Sequence, residues 1–249
     1  MIHAVKALSD QALKAYSNIL GIFNSIKLDI KTKLLLFDRM IVPILTYGSE
    51  VWGVYNFSEV DKVHIKFLKQ LLCVRNQTPN LAVYGEVGRY PLLVTCKLRA
   101  LNYWVKIANN PNSIMHKMYM EQNALNNNNC WAGNIKNIID TLGYSEIFNN
   151  VENGVSYCAL FKERLYDQFM QNWRAGIIST PKLNYYKDFK VEFKYEEYLD
   201  YISNSKHRIE LDRDITPWTI FIAFNQKREW GFYPNGKFVH NKQYLENKD

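Results

Sequence analysis

Lys62, Lys66 and Lys69 follow one another at steps of four and three residues, the spacing that puts three side chains on one side of a helix. Arg75 comes shortly after them, and Arg89, Lys97 and Arg99 lie beyond a Gly88–Pro91 turn, with Tyr84, Tyr90, Tyr103 and Trp104 interleaved. Ammonium and guanidinium groups offer contacts to phosphate, and aromatic rings offer faces on which unpaired bases stack. The plainer reading of the same residues is a solvated amphipathic helix beside aromatic core positions. The sequence alone leaves both open.

Other chemistry finds little footing. Phosphate-cradling glycine loops, a Gly-x-Ser-x-Gly elbow and His-Glu-x-x-His are all missing, and no two aspartates are adjacent. The five histidines (His3, His64, His116, His207, His240) lack a second ligand at metal spacing. Cys73, Cys96, Cys130 and Cys158 are 23, 34 and 28 positions apart, so they form no Cys-x-x-Cys pair and suit a reducing compartment as buried thiols.

Charge is unevenly distributed. Of the net +7, all is carried by residues 1–110, which hold 14 Lys and Arg against seven Asp and Glu; the remainder holds 17 of each. A two-to-one basic segment is a candidate for polyanion binding. With 47% hydrophobic and 22% charged residues, the chain is neither disordered nor a coiled coil. Apolar runs such as 34–37 and 40–45 are far shorter than the ~20 residues of a membrane span, and the start lacks a secretory pattern. An intracellular protein, nuclear or cytoplasmic, with no membrane partner, is expected.

Most of the chain reads as helix. Asp10 is expected to cap a helix that Gly21 ends, and Asp29 to cap a stronger one that kinks or restarts at Pro43. Gly48 and Gly53 suggest a loop around Trp52. Ser58 with Asp61 resembles a capping box for the helix bearing the three lysines, and Thr78-Pro79 resembles another start. Apolar periodicity predicts further helices from Leu92 to about residue 108, at 114–120, 131–142 and 156–175, and near 195–202. Asn123-Ala-Leu-Asn-Asn-Asn-Asn129 favours turns and is the best candidate linker. Trp218-Thr-Ile-Phe-Ile-Ala-Phe224 and the turn signal Pro234-Asn-Gly-Lys237 suggest a small C-terminal β-hairpin or meander.

Three segments in order, Leu45-Thr-Tyr-Gly-Ser-Glu-Val-Trp-Gly53, His64-Ile-Lys-Phe-Leu-Lys-Gln-Leu-Leu72 and Tyr84-Gly-Glu-Val-Gly-Arg-Tyr-Pro-Leu92, resemble the region just after the catalytic palm of LINE-type (non-LTR) retrotransposon reverse transcriptases. Ser9-Asp-Gln-Ala-Leu-Lys-Ala-Tyr16 fits the same region. The resemblance covers about residues 9–120, is weaker over 131–205 and ends by Arg213. It implies a mainly α protein: a thumb-like helical domain (1–120), an Asn-rich linker (121–130), a C-terminal helical region (131–213) and a divergent tail (214–249). It further implies that Lys62, Lys66, Lys69, Arg75 and Arg89 grip an RNA or DNA backbone, an RNA–DNA hybrid in the family; Lys97 and Arg99 join them as candidates on the basic pattern alone.

Polymerisation needs carboxylates that hold two Mg²⁺ ions, and in the family these include an adjacent Asp-Asp pair of the palm. Fingers and palm are expected upstream of Met1. The chain itself is therefore expected to be a truncated remnant without polymerase activity or cofactor, with the palm as a further partner. The alternative is a helical scaffold or protein-interaction remnant that binds no nucleic acid, with Trp52, Tyr84, Tyr90 and Trp104 as core or former interface.

Overall fold

The computed structural model describes residues 1–125, 129–149, 157–201, 230–232 and 238–240. The protein is mainly α-helical. The helices are α1 (Ile2–Ser25), α2 (Ile30–Met40), α3 (Val42–Leu45), α4 (Ser49–Trp52), α5 (Ser58–Leu71), α6 (Asn80–Val87), α7 (Leu92–Ala108), α8 (Ile114–Ala124), α9 (Trp131–Thr141), α10 (Ser145–Asn149), α11 (Cys158–Ser179), α12 (Tyr186–Phe189) and α13 (Tyr198–Tyr201). Strands β1 (Trp230–Phe232) and β2 (Phe238–His240) pair antiparallel. The expected turn between them, the strand at 218–224, the start of the helix expected at residue 156 and residues 126–128 of the Asn-rich segment lie outside the described residues.

Local chemistry explains most boundaries. Asp29 caps α2, its carboxylate accepting the Thr32 amide at 3.1 Å. Pro43 sits in the first turn of α3, where its missing amide costs nothing, so the helix ends at Met40 and restarts. Gly88 closes α6 at φ +61°, the left-handed conformation glycine tolerates.

Three expectations are corrected. α1 begins well before Asp10 and runs through Gly21, because Val5, Ser9, Ala12, Tyr16 and Ile19 form one continuous buried face and Phe23, beyond Gly21, packs against the same core. Packing of that face outweighs the helix penalty of one exposed glycine. The loop expected around Trp52 contains the single helical turn α4. The capping box is not made: Ser58 does not cap α5, and the Asp61 carboxylate accepts the Leu92 amide at 2.7 Å, tying the start of α7 to α5.

Apolar side chains gather in three clusters. The first joins α1, α2, α5 and α6 around Phe37 and Phe67, stacked at 4.0 Å, with Tyr16 edge-on to both. The second surrounds Trp104 with Phe148, Phe161, Ile135 and Ile139. α7 serves both, contributing Leu92 and Cys96 to the first and residues from Ala100 to Ile107 to the second. Tyr119 and Ala132, on either side of the Asn-rich segment, both belong to the second cluster. A third packs Trp173 and Ile177 of α11 against Ala82 of α6 and Tyr186 of α12.

Residues 190–200 form a strap over α6. Val87 bridges Tyr195, and the Glu196 amide donates to the Glu86 carbonyl at 3.0 Å. Beneath the strap, the Lys190 ammonium is buried between Glu196, which it contacts directly, and Glu86 at 3.9 Å, while the Tyr186 hydroxyl donates to Glu86 at 3.0 Å.

Candidate nucleic-acid interface

α1 and α5 lie side by side and point the same way, since the first half of each lines one hollow and the second half of each lines another. The first hollow, about 600 Å³, is walled by His3, Lys6 and Asp10 of α1 and by Glu59, Lys62 and Lys66 of α5. Amphipathic spacing explains this. On α5, Val60, Val63, Phe67, Leu68 and Leu71 turn into the core, which leaves Lys62 and Lys66, one turn apart, on the rim. Lys6 on α1 faces them across the hollow. Lys62 is 70% exposed and lies 3.6 Å from Glu59, a solvated pair that leaves its ammonium open to a stronger anion.

The other five expected cations are not part of this group. Lys69 does not share the solvent face of Lys62 and Lys66. It is only 8% exposed and its ammonium donates to the Asn76 carbonyl at 2.7 Å, closing the loop after α5, and burial lowers its pKa. Arg89 is ion-paired with Asp38, anchoring the end of α6 to α2. Arg99 donates to the Thr46 carbonyl at 3.1 Å. Lys97 is half-buried on α7 with its pKa lowered by burial, and Arg75 is exposed in the α5–α6 loop. Spacing alone could not distinguish a lysine that reaches solvent from one that reaches a loop carbonyl.

The aromatic residues are not the base-stacking surface that their interleaving suggested. Tyr84, Trp104 and Trp52 are buried. Tyr90 stacks on Tyr166 at 4.1 Å, and Tyr103 packs edge-on to Trp131. Lys6 and His3 were missed by sequence reasoning, because nothing in a linear pattern pairs positions 3–6 with 62–66.

A second group of titratable side chains lies inside. His64 is fully enclosed between Phe37 and Tyr84, neither ring nitrogen has a hydrogen-bond partner, and burial beside the Arg89 charge holds its pKa down at about 3. Burial pushes Asp61 up to about 6 and the Cys96 thiol up to about 12, and raises Tyr84 as well. His64, Cys96 and Tyr84 are buried in the packing around α5, and the half-buried Asp61 anchors the start of α7. Among the described residues, no three His, Cys, Asp or Glu side chains converge as a metal ion would require. Nor is any described helix long and apolar enough to cross a membrane.

Comparison of the chain with protein-family models, with curated proteins and with solved structures finds no match.

Proposed function

We propose that this chain is a helical nucleic-acid-binding module whose helices correspond to the thumb-like region of a LINE-type reverse transcriptase. It holds a sugar–phosphate backbone at the α1–α5 groove irrespective of sequence. The observation that carries the reading is the convergence of Lys6, Lys62 and Lys66, from two helices more than 50 positions apart in the chain, on one open hollow. Asp10 and Glu59 on the same walls moderate the field, so the grip is weak and salt-sensitive.

Three neutralised phosphates give a log–log salt slope of about −3 on a duplex and about −2 on a single strand. Fluorescence anisotropy with a labelled oligonucleotide between 50 and 200 mM salt measures it. No binding at the lower salt, or a flat response, overturns the reading.

A second reading, a protein-interaction remnant, is favoured by α8. Among the described residues of this helix and the position after it only Tyr119 is buried, while Ile114, Met115, Met118, Met120 and Leu125 are exposed. Flexible methionine surfaces suit protein contacts. Light scattering after size exclusion should then show concentration-dependent association that Met115→Lys with Met118→Lys abolishes; a monomer at every concentration speaks against self-association through α8.

A further inference from the structure

The hollow at Lys62 is one end of a longer feature. A second hollow, about 400 Å³, lies between the second halves of α1 and α5 and takes in Leu20 and Phe23 of α1, Gln70 of α5, Lys27 of the α1–α2 connection and Lys33 of α2. On α1 the two hollows are lined in turn by Ile2, Lys6, Ser9, Leu13, Tyr16, Leu20 and Phe23, which alternate steps of four and three and so occupy one face of the helix. On α5, Lys62, Lys66 and Gln70 likewise follow at steps of four. Both hollows therefore open on the same side of one seam. The Tyr16 hydroxyl donating to Gln70 at 2.5 Å crosses it part-way along.

From Ile2 to Phe23 the α1 wall of the seam is roughly 30 Å long at 1.5 Å per residue, and α5 flanks roughly 20 Å of it before the α1–α2 connection and Lys33 take over. The ends of the seam carry lysines, Lys6, Lys62 and Lys66 beside Asp10 and Glu59 at one and Lys27 and Lys33 at the other. Apolar side chains line both hollows beside these lysines. Leu13, Leu20 and Phe23 are half-buried, showing part of their apolar surface, and the Lys33 ammonium lies 5.7 Å from the Phe23 ring centroid.

We propose, building on the nucleic-acid reading above, that the ligand of this seam is a single strand lying along it, phosphates at the two lysine groups and bases against Leu13, Leu20 and Phe23. A duplex presents phosphates and sugars on its outside and keeps its base faces stacked, so it gains nothing from an apolar floor. An unpaired strand carries base faces that such a floor takes out of water. At a stacked rise of 3.4 Å the seam spans roughly six nucleotides along α5 and roughly nine along the whole α1 wall, fewer for an extended strand, within the range of single-strand-binding modules.

The test uses the full chain and labelled 15-mers of thymidine DNA, the same length of abasic backbone, and a 15-base-pair duplex, read by anisotropy at 50 mM salt. Thymidine DNA is expected to bind about tenfold tighter than either the abasic strand or the duplex. Lys27→Ala with Lys33→Ala, checked by circular dichroism to retain helix, should make the single-strand salt slope shallower by about 1.4 while leaving a four-nucleotide strand bound as before. If the variant loses helix, Lys27→Ala alone should make the slope shallower by about 0.7. A duplex or abasic strand that binds as well as thymidine DNA, or variants with an unchanged slope, overturns the single-strand seam and leaves the backbone grip at Lys62 standing. If none of the three probes binds, both fall.

Discussion

His64 is enclosed by Phe37 and Tyr84 with the Arg89 guanidinium nearby, and its ring stays neutral because burial and the neighbouring positive charge disfavour charging it and no protein hydrogen bond offsets that cost. Its folded pKa of about 3 is below the ordinary 6.5, so its contribution to stability is complete above pH 6.5 and is lost as the pH falls toward 3. Asp61 has the opposite sign. Its folded value of about 6 exceeds the ordinary 3.8, so the stability it gives is present below pH 3.8 and is lost as the pH rises through 6. Between pH 4 and 6 the two oppose each other. Urea unfolding should therefore separate them: relative to the parent, His64→Leu gains stability between pH 7 and 5, and Asp61→Asn loses it more steeply, each by the order of 1–2 kcal/mol. Variants that track the parent's pH profile would refute this balance.

At the scale of elements, helix content and several boundaries were legible in the sequence because they rest on local chemistry, as at Asp29, Pro43 and Gly88. Boundaries set by distant partners were not. The Asp61 carboxylate turns from its own helix start to the Leu92 amide, 31 positions on, and α1 extends in both directions because its buried face does. The site divides in the same way: Lys62 and Lys66 were readable from α5 alone, whereas Lys6 is brought in by packing and Lys69 is taken out by the Asn76 carbonyl. The 190–200 strap depends wholly on such long-range contacts. Lys190→Ala leaves Glu86 and Glu196 beside an uncompensated site and should cost about 3 kcal/mol or more. Hydrogen exchange should show the strap amides opening first, with α1 and α5 protected as before; uniform opening of the whole chain would contradict a locally anchored strap.

Over the whole molecule, α7 links two aromatic-rich cores, one built mainly from α1, α2, α5 and α6 and the other from α8 to α11. The excess positive charge of residues 1–110 is not spread as one continuous basic face. Arg89 and Arg99 hold helices together, Lys69 closes a loop, and Lys6, Lys62 and Lys66 remain at the α1–α5 groove. The proposed activity accordingly rests on three side chains rather than on net charge, and charge-matched variants distinguish the two. Lys6→Ala, Lys62→Ala and Lys66→Ala together should weaken oligonucleotide binding at least about tenfold and flatten its salt dependence. Lys106→Ala, Lys117→Ala and Lys162→Ala together remove the same charge from exposed positions of α7, α8 and α11 and should leave both nearly unchanged. Equal losses in the two triple variants, or none in the first, would contradict a grip located at the α1–α5 groove.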